Sequence, residues 1–241
     1  MRKTSLLKEI PFISVKQMIE VDRLMIEDYG ISLMQMMENA GRNIAEFILN
    51  KIASTTSNTT VLVMVGSGGN GGGAMVAARH LSNKGFDVDV VFSTSVVSLK
   101  GVIKHQADIL TKLPVRILEK ELPVKKYDLI IDGIIGYSLK GEPRGFAKEM
   151  IEFCNVSKSK VVSLDTPSGL NLNGRKINNF VVKADFTITL ALPKMGLKSE
   201  EAKGFVGRLF LADISVPPSL YLQMGLDVSD KVFEYDYLVE L

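Results

Sequence analysis

Tryptophan is absent, cysteine occurs once and histidine twice in the 241 residues of this chain. A single cysteine, Cys154, excludes an intramolecular disulfide framework and a cysteine metal cluster. In EMIEFCNV it reads as a small core residue. His80 and His105 have no metal-ligand spacing, and both fall in helical stretches where packing or solvation accounts for them. Charge of one sign is also scarce. A formal net charge of +2 is too mild to imply nucleic acid or an anionic membrane surface as partner. No apolar run approaches the length of a membrane span. The start, MRKTSLLKEIPFI, is basic but lacks the apolar core and small-residue cleavage site of a secretory leader, so a cytoplasmic protein is expected. The eleven methionines fit a Met-rich core.

The hydrophobic content of 46% and charged content of 23% are those of a globular protein. The length suits one large domain over residues 1–241, and no repeat, low-complexity segment or long linker divides it. Its most informative stretch is VLVMVGSGGNGGGAMVAARHL, Val61 to Leu81. Five apolar residues, three of them valine, read as a buried parallel strand. Six glycines then fall within residues 66–73, and a helical pattern is expected from Ala74. A strand, a glycine turn and a helix N-terminus present free N–H groups and a helix dipole to a phosphate. Gly66-x-Gly68-x-x-Gly71 also matches the bare dinucleotide fingerprint. The acidic residue expected roughly 20 positions later to hold a ribose hydroxyl is poorly placed, because the second strand ends in Ser93-Thr94-Ser95.

Upstream, Ser14-Val15-Lys16-Gln17 and Ser32-Leu33-Met34-Gln35 fit capping boxes and open helices over about 14–28 and 32–53. A polar linker is expected over 54–60. Downstream, strand signals at 87–93, 115–118, 127–132, 160–164, 185–191 and 207–214 alternate with helical stretches near 74–84, 97–112 and 145–157. This alternation predicts a mostly parallel sheet covered on both faces.

Ligands of such sheets collect at the carboxyl ends of the strands. Asn70 lies there in the glycine turn. Asp132 ends YDLIID, and Asp165 ends VVSLD before TPSGLNLNG. An aspartate finishing a buried apolar strand is costly unless it binds something, and two on separate strands predict a shared site. Asn70, Asp132 and the oxygens near Ser168 form an oxygen set that suits a hard cation better than zinc. Ser168 lacks the G-x-S-x-G elbow, which disfavours a Ser-His-Asp hydrolase. Lys140, Arg144 and Lys194 stand in loops after strands, where they either meet phosphates or are solvated.

In order, the chain reads DRLMIEDYGISLMQMMENAG, VLVMVGSGGNGGGAMVAARHL, DLIIDGIIGYSLKGEPRG, VVSLDTPSGLNLNG and KADFTITLALPKMGL. These motifs resemble, over nearly the whole chain, the NAD(P)H-hydrate epimerase family, the YjeF N-terminal domain. The resemblance implies an α/β fold: a Rossmann-like three-layer α/β/α arrangement, a mostly parallel central sheet and two extra N-terminal helices. It implies an isomerase interconverting the R and S forms of NADHX and NADPHX, a homodimer, one potassium ion per subunit and a possible separate dehydratase. Carried over by motif position, potassium ligands fall on Asn70, Asp132 and Ser168. Substrate contacts fall on Gly69, Asn70, Gly71, Gly72 and Gly73, on Gly136, Tyr137, Ser138, Leu139, Lys140 and Gly141, and on Asp165. Asp165 is the expected acid/base group, with Lys140 as its partner.

The ring nitrogen of a hydrated nicotinamide can expel the neighbouring hydroxyl, leaving an iminium that water re-enters from either face. Such chemistry asks a protein to position the ring and move a proton. The family's turn reads N-N-G-G-D-G, whereas Gly69-Asn70-Gly71-Gly72-Gly73-Ala74 stands here. The missing first asparagine and aspartate leave a second reading open, a catalytically impaired nucleotide-binding or dimeric scaffold module.

Overall fold

A computed structural model describes residues 10–52, 59–173 and 177–241. Most of the expected 54–60 linker therefore lies outside the described residues. Helices α1 (Val15–Glu27) and α2 (Leu33–Phe47) open on complete capping boxes, Ser14 with Gln17 and Ser32 with Gln35. A π-helical turn, Ile48–Ile52, extends α2. After it come β1 (Thr60–Val65), α3 (Gly69–Asn83), β2 (Asp87–Phe92), α4 (Gly101–Leu110), β3 (Arg116–Glu119) and β4 (Leu129–Gly133). Then follow α5 (Phe146–Val156), β5 (Lys160–Leu164), β6 (Phe186–Leu190), α6 (Lys203–Val206), β7 (Arg208–Ala212), α7 (Pro218–Gln223) and β8 (Leu238–Glu240).

One eight-stranded sheet runs in the order β3-β2-β1-β4-β5-β6-β7-β8. Its first seven strands are parallel and β8 is antiparallel to β7. The alternation of side chains along a strand divides the core. Val61, Val63 and Val65 face a layer containing Ile44 and Phe47 of α2, Met75 and Ala78 of α3, and Ala107 and Leu110 of α4. Leu62 and Met64 face Met150, Ile151 and Cys154 of α5. Both faces are covered, as the continuous apolar runs require.

The chain reverses its direction of winding between β1 and β4, and the crevice beyond the carboxyl ends of those strands is where an open α/β sheet takes its ligand. Glycines let the elements above this crevice approach closely. A Cβ on Gly41 of α2 would stand 2.4 Å from the Gly73 carbonyl oxygen and 2.5 Å from Val76 Cβ of α3. A Cβ on Gly72 would stand 2.5 Å from Met37 Sδ.

Three local expectations are revised. Helix α3 starts at Gly69 rather than Ala74, because tertiary packing overrides the poor helix propensity of glycine. The helix expected over 97–112 is broken, with a short 3₁₀ turn at Val96–Ser98 preceding α4. Gly101, at φ +55°, is where the chain redirects. Helices α6 and α7 and strand β8 have no counterpart among the sequence signals.

Candidate functional site

A cavity of about 510 Å³ lies over the crevice. Met18, Asp22 and Ile26, one turn apart on α1, form one wall with Leu33, Met36 and Met37 of α2. The floor is built from Ser67–Asn70, the loop Ile134–Ser138 after β4, Asp165 after β5 and Lys194 after β6. The enclosure is apolar above and polar below, a composition suited to an organic ring with a charged or hydroxylated edge.

The glycine run serves two purposes. Gly68 precedes α3 with no side-chain cap, so the first N–H groups of the helix are not met by one. Among the described residues, and apart from the adjoining chain, nothing lies within 4 Å of where a Cβ would stand on Gly68 or Gly69, so the backbone is open to an anion there. Gly71 and Gly72 do not line the cavity. A Cβ on Gly71 would come 2.0 Å from the Gly66 carbonyl oxygen, so this glycine permits the turn itself. Gly73 lines the cavity and also packs, its Cβ position being 2.9 Å from Leu164 Cδ2.

Asp132 and Ser168 meet around the ends of β4 and β5, and Asn70 is tied separately to the end of β5. Asn70 Nδ2 donates to the Leu164 carbonyl at 3.0 Å. Asp132 is 0% exposed, and its carboxylate accepts from Ser163 Oγ at 2.7 Å, from Ser168 N at 2.8 Å and from Ser168 Oγ. Burial pushes this carboxyl above the usual carboxylate range, against the pull of the serine hydrogen bonds. Ser168 Oγ in turn accepts from Ile135 N at 2.8 Å. No lysine, arginine or histidine pairs with Asp132 among the described residues.

Asp165 is only 3% exposed and has φ +68°, in the left-handed region. A non-glycine residue held there signals a conformation imposed by its surroundings. Lys194 is 0% exposed, and its ammonium forms an ion pair with Asp165 Oδ1. The remaining Lys194 protons reach the Leu190 carbonyl at 2.9 Å and Thr189 Oγ1 at 3.3 Å. Asp165 Oδ2 accepts from the Tyr137 backbone N–H at 3.3 Å, and the Tyr137 hydroxyl donates to Asp22. Burial raises the Asp22 carboxyl, opposed by the Tyr137 hydrogen bond and by Lys194. Burial and the Asp22 carboxylate together push the Tyr137 phenol far up.

Of the expected substrate contacts, Gly69, Asn70, Gly73, Gly136, Tyr137, Ser138 and Asp165 line the cavity. Leu139, Lys140 and Gly141 do not line it, and Lys140 is exposed. The Gly141 carbonyl is turned to Asn178 Nδ2 at 3.0 Å. The lysine that meets Asp165 is Lys194, whose place after a strand in LPKMG had two readings, phosphate contact or solvation, and is in fact buried pairing. Asp22 carried no signal beyond its position in the helix pattern. Glu38 and Asn39 are helix-edge residues, pairing with Arg79 and with the Ile214 carbonyl at 3.3 Å respectively.

Residues 33–196 match the family model described as YjeF-related protein N-terminus. The chain is 38% identical over 230 residues to an NAD(P)H-hydrate epimerase of Dehalogenimonas lykanthroporepellens, covering 95% of this chain and 92% of that protein. It is 31% identical to the bifunctional NAD(P)H-hydrate repair enzyme Nnr of Moorella thermoacetica, covering 86% of this chain but only 41% of that protein. The crystal structure of yeast ynu0, YNL200c, is similar with a TM-score of 0.80 and 25% identity, covering 96% of this chain and 100% of that one.

Proposed function

Since the chain belongs to the family of YjeF-related protein N-termini, we propose that it is an NAD(P)H-hydrate epimerase, an isomerase that interconverts the R and S forms of NADHX and NADPHX in nicotinamide cofactor repair. The observation that carries this reading is the buried Asp165–Lys194 pair on the floor of a half-apolar cavity, beside an open helix N-terminus. A buried ion pair is expensive and seldom a net source of stability. Its place on the lining of a ligand-sized cavity favours the enzyme over the scaffold reading.

The chemistry assigns work to this chain's own atoms. Expulsion of the hydroxyl breaks its C–O bond, the ring nitrogen's lone pair forms the C=N bond, and the leaving oxygen takes a proton to become water. Return of water to the opposite face reverses each step. Lys194 spends its protons on Asp165, Thr189 and Leu190, so it fixes Oδ1 and balances charge. Asp165 lines the cavity and its Oδ2 meets only the weak Tyr137 N–H bond among the described residues; in its acid form it would give the proton to the departing hydroxyl and take it back from the water that returns. Met18, Met36 and Met37 press on the ring and limit water around the iminium. The N-terminus of α3 takes a phosphate, with Gly136, Tyr137 and Ser138 on the other side of the crevice.

A potassium ion fits Asn70, Asp132 and Ser168. The donors are all oxygens, as a hard cation prefers, and Asp132 is a fully buried carboxylate with no basic partner among the described residues. Bound there, potassium would supply a fixed positive charge. In this reading the enzyme works in the cytoplasm as a homodimer, and a separate dehydratase consumes one epimer. No helix of the described residues is long and apolar enough to cross a membrane.

The test is epimer interconversion followed by chromatography. R-enriched NADPHX that equilibrates faster with protein than without supports the reading. Folded protein that leaves the spontaneous rate unchanged overturns it.

A further inference from the structure

The N-terminal elaboration touches the Asp165–Lys194 pair from two sides. On one side Ile13, just before α1, brackets the lysine in the backbone: Ile13 N donates to the Pro193 carbonyl at 2.8 Å, and Met195 N donates to the Ile13 carbonyl at 2.8 Å. On the other side α1 carries Asp22, which accepts the Tyr137 hydroxyl. Tyr137 is the residue whose backbone N–H meets Asp165 Oδ2 at 3.3 Å. One residue therefore links a helix outside the sheet, through its hydroxyl, to the carboxylate on the floor, through its backbone N–H. The Lys194 ammonium lies 5.8 Å from the Tyr137 ring centroid, so the same ring also bounds the lysine.

The connection is placed where small displacements matter. Tyr137 sits in the loop after β4, which has no regular hydrogen-bond ladder of its own, and Asp165 is held at positive φ. Lys194, with longer contacts from Leu190 N at 3.4 Å and Thr189 Oγ1 at 3.5 Å, holds Oδ1, so the weak 3.3 Å bond from Tyr137 N–H governs Oδ2. Anchoring the far end of Tyr137 removes the rotation of its ring and the drift of its backbone. Asp22 is buried enough to be raised by desolvation, a cost that a surface carboxylate avoids by turning outward.

We propose that Asp22 is a positioning residue for the reaction, acting through the Tyr137 phenol to hold the Tyr137 N–H and the ring against Asp165. It rests on the epimerase reading for its kinetic consequence and on geometry alone for its structural one. Misplacement of a reacting group by a fraction of an ångström lowers turnover more than binding.

The experiment is a double-mutant cycle on the full chain, with Asp22→Ala, Tyr137→Phe and the pair combined, and Asp22→Asn as the conservative control. Turnover and crystal structures are both read. Asp22→Ala and Tyr137→Phe each lower kcat by about tenfold with KM changed by less than about twofold, and the combined variant is no worse than either, because the two residues act as one unit. Asp22→Asn, whose amide oxygen still accepts the phenol, restores most of kcat. In crystals of Asp22→Ala the Tyr137 ring and N–H move away from Asp165. The proposal is overturned if the single effects multiply, if Asp22→Asn behaves like Asp22→Ala, or if the Asp22→Ala crystals keep Tyr137 and Asp165 in place. Absence of turnover in the wild-type protein would overturn the epimerase reading instead, and the crystal comparison would then decide the linkage by itself.

Discussion

Lys194 and Asp165, separated by 29 positions in the chain, are joined as a buried ion pair with side-chain exposures of 1% and 4%. The carboxylate ends β5, and the ammonium belongs to the loop after the neighbouring β6. Parallel pairing of these strands, with Leu164 beside Ile188, brings the two loop starts to the same edge of the sheet. The pair is thus a direct product of the topology, and its energetics give the first prediction.

Removing one member leaves the other charged, buried and unpaired. Asp165→Asn and Lys194→Met each destabilise the fold by about 3–5 kcal/mol, read as a lower urea midpoint. The double variant is more stable than either single one, because no orphan charge remains. Equal or additive losses would contradict the pairing.

The glycines of the turn separate into two groups under alanine substitution. Gly71→Ala places a Cβ 2.0 Å from a backbone carbonyl oxygen, a clash no side-chain movement relieves, and costs at least about 1–3 kcal/mol. Gly69→Ala meets nothing within 4 Å and has no positive φ, so its stability stays level or rises by about 0.5–1 kcal/mol. Thermal denaturation of the two variants distinguishes these outcomes. Gly69→Asn, which restores an asparagine at the first position of the turn, also folds normally.

Potassium has a readout apart from catalysis. Exchanging sodium or a bulky organic cation for potassium raises the melting temperature of the wild-type protein, since a ligand that binds only the native state stabilises it. Asp132→Asn abolishes the increment. A potassium effect that survives in the variant would place the ion elsewhere.

Cys154 lies in the α5 side of the core, and burial pushes its thiol well above the ordinary value. Folded protein therefore resists thiol alkylation at neutral pH, and denaturant exposes one reactive group. The sign of the pH dependence follows. Above the ordinary thiol range the unfolded chain releases this proton while the folded chain keeps it, so stability is lost as pH rises. The Tyr221 phenol, raised chiefly by burial, acts in the same direction at more alkaline pH. Urea midpoints measured from neutral to alkaline pH fall accordingly, and replacing Cys154 by alanine removes the earlier part of the decline.

Much of the fold was legible because its signals are local. Val61–Val65 is apolar and valine-rich, Val161–Leu164 is so apart from Ser163, and the Ser14 and Ser32 capping boxes fix helix starts through neighbours three positions away. Asp132 and Asp165 stood out because a carboxylate at the end of such a strand contradicts its surroundings. Lys194 did not, since a lysine after proline in a loop reads equally as solvated. Its burial depends on Asp165, Leu190 and the Ile13 segment arriving together. The start of α3 is not legible because glycines carry no periodic side-chain pattern, and their role in the approach of α2 is visible only once Gly41, Met37 and Leu164 are in place. Strand β8 has three residues and only the edge of β7 as partner, too little for a pattern.

The most direct measurement of the central claim is the rate at which R-enriched NADPHX equilibrates in potassium buffer with wild-type protein, with Asp165→Asn and without protein. Clear acceleration by the wild type is expected, with a loss of roughly 10²-fold or more in the variant, the share that a positioned acid/base group supplies. A folded Asp165→Asn protein as fast as the wild type would show that the buried carboxylate does not move the proton. A wild type no faster than buffer would remove the enzyme reading altogether.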